Sequence, residues 1–343
     1  MTLRFGLAIM NDFPPGEVAA HRIGALREQV QAAERAGVGS IWVLQHYLGS
    51  MPTLQPLHLL SALTPYTGDM RLGTNMYILP LRHPIGAAEE FSTLDHLSGG
   101  RAIAGVGLGY RENEFAAFGV PMTERLGRFN ESVEIMRKLW SGERVSHEGK
   151  YFRFTDEKIS LAPVQPGGPP VWVGAGGKPK AVERAARLGD AWIIPPHVAG
   201  DRLRELLDVY RGARRDHGRE VAEELVVRRD ILLHEDADTA WALGSDARVA
   251  LSGEYGRYNR PDDTVDYQHL AGAEEAEQRA RDAYLFTDPE TAIRKLKEVE
   301  AAGITTVVLR MQWFGLPQDQ VLHSLQLFAE RVLPAFQDRS QST

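Results

Sequence analysis

Short apolar runs alternate with amphipathic ones along most of this chain. LRFGLAIM (3–10) reads as a first strand, and IGALREQVQAAERAG (23–37) follows at helical spacing and stops on Gly37. The same pair of patterns repeats: strand SIWVL (40–44), helix LQPLHLLSALTPYTG (54–68), strand MRLGTNMYILP (70–80), helix PIGAAEEFSTLDHLSGG (84–100), strand RAIAGVGLG (101–109) and helix RFNESVEIMRKLWSGE (128–143). After a break it resumes with strand VWVGAGG (171–177), helix PKAVERAARLG (179–189), strand DAWIIPPH (190–197), helix DRLRELLDVYRGARRDHG (201–218) and strand ELVVRRDILL (224–233). Helix DPETAIRKLKEVEAAG (288–303), strand ITTVVLRMQW (304–313) and helix QDQVLHSLQLFAERVLPAF (318–336) complete the series.

Strands alternating with helices predict a parallel sheet, and eight such units predict a closed (β/α)8 TIM barrel formed by residues 1–343 as one unit. Two stretches interrupt the rhythm and are expected to be insertions. The first, at about 144–169, opens with RVSHEGKYFRF, which alternates and turns at Glu148-Gly149 like a hairpin. The second, at about 235–287, is long, charged and rich in Tyr and Asp, the character of a lid over a barrel mouth.

Barrel enzymes place their chemistry where strands hand over to the following loops. The residues at these exits are Asn11, Asp12, Phe13; Gln45, His46, Tyr47; Asn75, Met76, Tyr77; Gly107, Gly109, Tyr110, Asn113; Gly174 to Lys178; Pro195, Pro196, His197; Arg229, Asp230; and Arg310, Gln312, Trp313. The rim is aromatic and amide-rich, with few carboxylates. No metal site is expected from it, and no G-x-S-x-G follows a strand. His197 is placed to face substrate, or is a solvent-exposed loop residue. Arg310 either holds substrate charge or pairs with a barrel carboxylate. Trp42, Trp140 and Trp241 read as packing residues.

Two glycine-rich exits stand out. VGAGGKPKAVERAARLG is strand, glycine turn and helix, a seat for an anion on the helix N-terminal N–H groups, with Lys178 adding charge. A plain strand-to-helix turn would look the same. In RAIAGVGLGYRENEF, the strand is thinned to glycine at Gly105, Gly107 and Gly109 before a polar cluster. Either a tight turn or a ligand against the backbone accounts for it.

Composition narrows the classes further. There is no cysteine, which excludes disulfides, thiolate catalysis and cysteine-ligated metal and fits a cytoplasmic location. A net charge of −7 argues against nucleic-acid binding. No apolar run reaches the roughly 18 residues of a membrane helix, and the N-terminus lacks the pattern of a signal peptide.

The stretch LGTNMYILPLRHPIGAAEEFSTLDHLSGGRAIAGVGLGYRENEFAAFGVP resembles the signature region of the bacterial luciferase-like flavin-dependent oxidoreductases and monooxygenases. VWVGAGG…AVERAARLGDAWI and SIWVLQHY are similar to further motifs of that family, and the resemblance spans roughly residues 3–197 and 288–335. It implies a luciferase-like barrel that binds reduced FMN or, in one branch, the deazaflavin coenzyme F-420. Carried onto this chain, the family's phosphate turn is Gly174, Ala175, Gly176, Gly177 and Lys178, with Arg125 or Arg128 reaching the same phosphate. A non-proline cis peptide is implied at Asn75–Met76. Tyr110 and Asn113 would meet the flavin, Gly107 and Gly109 would leave room for its ribityl chain, and His46 would act as acid or base. The family commonly has an acidic residue before that histidine; Gln45 stands there, which weakens a scheme needing a carboxylate beside the ring and leans away from the deazaflavin branch.

The resemblance implies a monooxygenase using reduced FMN and O2 on a small organic substrate, the flavin reduced by a separate NAD(P)H:flavin reductase or in the pocket. The alternatives are a deazaflavin-dependent oxidoreductase transferring hydride and a non-catalytic flavin-binding protein. It also implies a homodimer, with EEFSTLDHLSGG as a candidate surface.

Overall fold

A computed structural model describes residues 3–220, 224–256 and 284–337. Its centre is a closed parallel barrel of β1 (Arg4–Ile9), β2 (Ser40–Val43), β3 (Arg71–Thr74), β4 (Ala102–Gly107), β5 (Val171–Gly174), β6 (Ala191–Ile194), β7 (Leu225–Leu233) and β8 (Thr306–Arg310). Each strand pairs with the next, and β8 closes on β1 with Leu7 opposite Leu309. Around it lie α1 (Ile23–Arg35), α2 (Pro56–Leu63), α3 (Pro84–Leu97), α4 (Glu112–Ala117), α5 (Arg125–Leu139), α6 (Pro179–Leu188), α7 (Gly200–Asp216), α8 (Ala237–Gly256), α9 (Pro289–Ala301) and α10 (Gln318–Leu327).

Side chains of alternate strand residues divide between two cores, as period-2 geometry requires. Phe5, Leu7, Ile41, Val43, Val171, Val173, Val227 and Leu309 pack outward against the helices. Trp42, Ile103, Trp172, Ile193, Val226 and Val308 fill the barrel lumen. The two indoles stack at 5.0 Å. Neighbouring strands make room by having no side chain there: a Cβ on Gly73 would lie 2.3 Å from the Trp42 ring. Trp42 is thus a packing residue, and so is Trp140, buried with its Nε1 donating to the Ala88 carbonyl at 3.1 Å.

The elements depart from the sequence pattern in a few places. The run 70–80 is not one strand: it breaks at a cis Asn75–Met76 peptide and resumes as Tyr77–Ile78, beside Val106 and Gly107. The final helix ends at Leu327 and continues as a π turn and a 3₁₀ turn containing Pro334, whose ring cannot continue an α-helix. Helix α4 was not expected, since it is too short to show periodicity. The first insertion contains the hairpin Val145–Glu148 and Arg153–Glu157, anchored by Glu131, which accepts from the Phe152 amide (2.8 Å) and from His147 Nε2 (3.0 Å). The second insertion starts with α8 and ends with a strand, Leu285–Thr287, that pairs with the end of β7. The rest of the candidate lid, 257–283, lies outside the described residues.

The candidate dimer surface on α3 is partly covered by its own chain. Glu89 accepts from the Ser160 amide, Asp95 from the Gln165 amide, and His96 meets the Ala162 carbonyl, so the end of the first insertion lies across this helix.

Candidate active site

The strand exits build a mouth above the two stacked indoles. On the β3–β4–β5 side the partly buried Met76 lies against two glycines. A Cβ on Gly107 would meet Met76 at 2.9 Å, and one on Gly174 would meet it at 2.3 Å. The thinning of β4 to glycine therefore has a nearer occupant than a ribityl chain: Gly107 admits Met76. Gly109 has φ of +71°, and a Cβ there would strike Ile78 and Phe115, so it is a turn residue by conformation and by packing.

Next to this wall stands a buried polar group. Glu114, on α4, is fully buried, and its Oε1 accepts from the Tyr47 amide at 2.8 Å. The same oxygen is 3.3 Å from His46 Nδ1 and 3.8 Å from the Arg111 guanidinium, itself only 2% exposed. The Tyr110 ring meets the His46 ring edge-on at 5.8 Å. Burial pushes the His46 imidazole below its ordinary range, with the Glu114 hydrogen bond opposing it and Arg111 adding to it. A carboxylate can only accept, so in this pairing Nδ1 is the donor of the neutral ring and Nε2 its unprotonated nitrogen.

The carboxylate that the motif lacks at Gln45 is thus supplied from the far end of RENEF. Gln45 does structural work instead. Its amide oxygen accepts from the Ile78 N–H at 2.7 Å, and its nitrogen donates to Tyr47 Oη and Gln55. Glu114 is not legible in the sequence because six residues separate it from the end of β4, and only the short helix α4 swings it back to His46. The dense polar cluster after Gly109 was the available signal.

The β7–β8 side is charged. Arg310 donates to both oxygens of Asp230, at 2.9 and 3.1 Å, and lies 3.8 Å over the Trp313 ring. Of the two roles open to Arg310, pairing with a barrel carboxylate is the one seen. Behind it, Met10, Leu232, Tyr284, Phe286, Trp313 and Phe314 form an aromatic wall, with Trp241 packed against it. His197 is exposed on the turn after β6, and Asn113 is exposed, donating to the Leu48 carbonyl at 3.0 Å.

At the glycine-rich turn, α6 begins at Pro179 with no side-chain cap. Gly176 is exposed, and a Cβ there would touch nothing within 4 Å. Ala175 is buried, Gly177 partly so, and Lys178 exposed. Arg128 is held elsewhere, by Glu124 at 2.9 Å and over Tyr151 and Phe152. Arg125 instead turns back to the Gly109 carbonyl at 3.2 Å. Arg184, which the sequence reading passed over, has a buried Nε without a hydrogen-bond partner among the described residues. Burial first, and then repulsion from Arg125, depresses its pKa.

The profile of the luciferase-like monooxygenases matches residues 3–306. The chain belongs to the luciferase-like monooxygenase family. Among its relatives is the F420-dependent glucose-6-phosphate dehydrogenase of Amycolatopsis mediterranei, 31% identical over 90% of this chain and 93% of that one. The F420-dependent hydroxymycolic acid dehydrogenase of Mycobacterium tuberculosis is 30% identical over 93% and 87%. The crystal structure of monooxygenase RslO1 from Streptomyces bottropensis superposes with a TM-score of 0.84 at 25% identity, covering 98% of this chain and all of that one. The chain is thus similar both to F420-dependent dehydrogenases and to a monooxygenase.

Proposed function

We propose that this luciferase-like protein is an oxidoreductase that uses the deazaflavin F420 to exchange hydride with a small hydroxylated or carbonyl substrate. The observation that carries this is the buried Glu114 carboxylate against His46. It supplies, from α4, the acid partner that Gln45 does not provide, and so supports the deazaflavin reading. Oxidising an alcohol needs a base for the hydroxyl proton as the carbinol hydride leaves, and His46 Nε2 is that base, with Glu114 orienting the ring and stabilising its charged form. Tyr47 and Gln45 hold the loop, and Met76 shapes the wall. A bound deazaflavin would supply the two-electron acceptor.

The residues present fit such a group. An uncapped helix start, the open Gly176 and the guanidiniums of Arg125 and Arg184, which lie close enough to repel each other, would hold its phosphate. The orphaned Arg184 Nε is a buried donor that an anion would satisfy. The likeness to RslO1 supports the second reading, an FMN monooxygenase. Fluorescence titration with F420 and with FMN, followed by anaerobic turnover with a panel of alcohols and sugar phosphates, separates them. F420 bound at least tenfold more tightly and reduced without oxygen is the expected result. Tighter FMN binding with oxygen-dependent product overturns it.

A further inference from the structure

β7 runs past the barrel rim, and the residues that follow it, His234 and Glu235, meet His323 from α10. One ring nitrogen of each histidine and a carboxylate oxygen of Glu235 lie within 4.8 Å of one another. His323 Nε2 is 2.9 Å from Glu235 Oε2, and His234 Nδ1 is 3.8 Å from the same oxygen. The two imidazoles meet edge to face at 5.8 Å. We propose that His234, Glu235 and His323 bind one zinc-type divalent metal ion, which clamps the β7–α8 junction to α10.

Two imidazoles and one carboxylate are a donor set that zinc and its neighbours favour, with water completing the tetrahedron. Metal–ligand bonds of about 2.0–2.1 Å put tetrahedral ligands about 3.3–3.4 Å apart. The separations of 2.9 and 3.8 Å bracket that edge, so small side-chain rotations suffice.

The backbone beneath the site is already fixed. The Leu233 amide donates to the buried Ser324 Oγ at 2.9 Å, tying the neighbours of His234 and His323 together. The His234 amide donates to the Thr287 carbonyl at 3.3 Å. Asp236 accepts from the Thr239 amide at 2.8 Å as α8 begins. The Asp236 amide also donates to His234 Nδ1 at 3.1 Å, which marks a lone pair there; coordination exchanges that bond for the metal. All three side chains reach solvent, so an ion can enter. Glu235 and His323 are 88 residues apart, which is why no spacing motif announced the site.

The role is structural. Leu232 and Val321, close in sequence to the ligands, belong to the aromatic wall with Phe286 and Trp313, so a clamp here steadies one side of the mouth. The test uses tag-free, chelator-stripped full-length protein, titrated with Zn²⁺ by calorimetry and with Co²⁺ by visible absorption. One equivalent should bind at micromolar or lower concentration, with the absorption of tetrahedral Co²⁺ and a rise in Tm on adding Zn²⁺. His234→Ala, His323→Ala and Glu235→Gln should each weaken binding at least tenfold and remove the rise, leaving the unliganded Tm within a few degrees. Absence of binding, or binding and a Tm rise equal in wild type and all three variants, overturns the proposal. Cofactor binding is measured separately and does not enter this outcome.

Discussion

Glu114 sits in full burial with two unlike neighbours, a histidine and an arginine, and its value to the proposed reaction lies in what it does to His46. Glu114→Gln keeps the shape and removes the charge. We expect kcat/KM to fall by about 10²–10³-fold, and His46→Gln to fall at least as far, the double variant losing little more because the two act as a unit. The sign of the pH response follows from the depressed His46 pKa. The folded protein binds fewer protons there than the unfolded chain, so this stability is complete above the unfolded pKa of about 6.5 and is lost as pH falls toward the folded value. The acid limb of kcat/KM for alcohol oxidation is therefore expected below pH 6.5. In Glu114→Gln the limb should move further down, because the hydrogen bond and charge that raise the imidazole are gone. A limb that stays in place or moves up removes Glu114 from the scheme.

At the same scale, the Arg310–Asp230 pair is nearly dry, with side chains 12% and 4% exposed. Removing one partner of such a pair leaves an uncompensated charge, and Asp230→Ala is expected to lower unfolding stability by about 3–5 kcal/mol in denaturant titrations.

Among the elements, β3 and β4 carry the tightest constraints. A Cβ on Gly73 would enter the Trp42 ring, and one on Gly105 would lie 1.7 Å from the Thr74 carbonyl oxygen. Overpacking of a core costs about 1–3 kcal/mol when side chains can give way, as Trp42 can in part. Backbone cannot give way in the same manner. Gly105→Ala is therefore expected to destabilise more than Gly73→Ala, with a lower Tm by thermal melt; equal effects would mean that the strands can separate without penalty. The helices are less demanding. On α6, Val182, Ala185 and Ala186 face the barrel at helical spacing while Glu183 and Arg187 face water, as the periodicity had indicated.

For the whole molecule, the proposed cofactor seat follows β5 and His46 follows β2, so a ligand that reaches both ties several loops together. Ligand that binds only the folded state stabilises it by mass action. F420 at about a hundred times its Kd is expected to raise stability by roughly 2.7 kcal/mol, read as a Tm increase that Arg184→Ala reduces. No helix among the described residues is long and apolar enough to cross a membrane.

The alternation of apolar runs was enough to place all eight barrel strands and most of the surrounding helices, because strand and helix periods are local properties of the chain. The glycine turn before α6, the hairpin of the first insertion and His46 at the exit of β2 were legible for the same reason: each is a few consecutive residues. Tertiary structure alone decided what meets across strands. Met76 filling the space of Gly107 and Gly174, Glu114 returning to His46, Arg125 rather than Arg128 turning toward Gly109, Arg310 locking onto Asp230, and two histidines meeting over Glu235 all join residues far apart in sequence or on different loops. Closing the barrel sets those distances, and no local pattern along the chain encodes them.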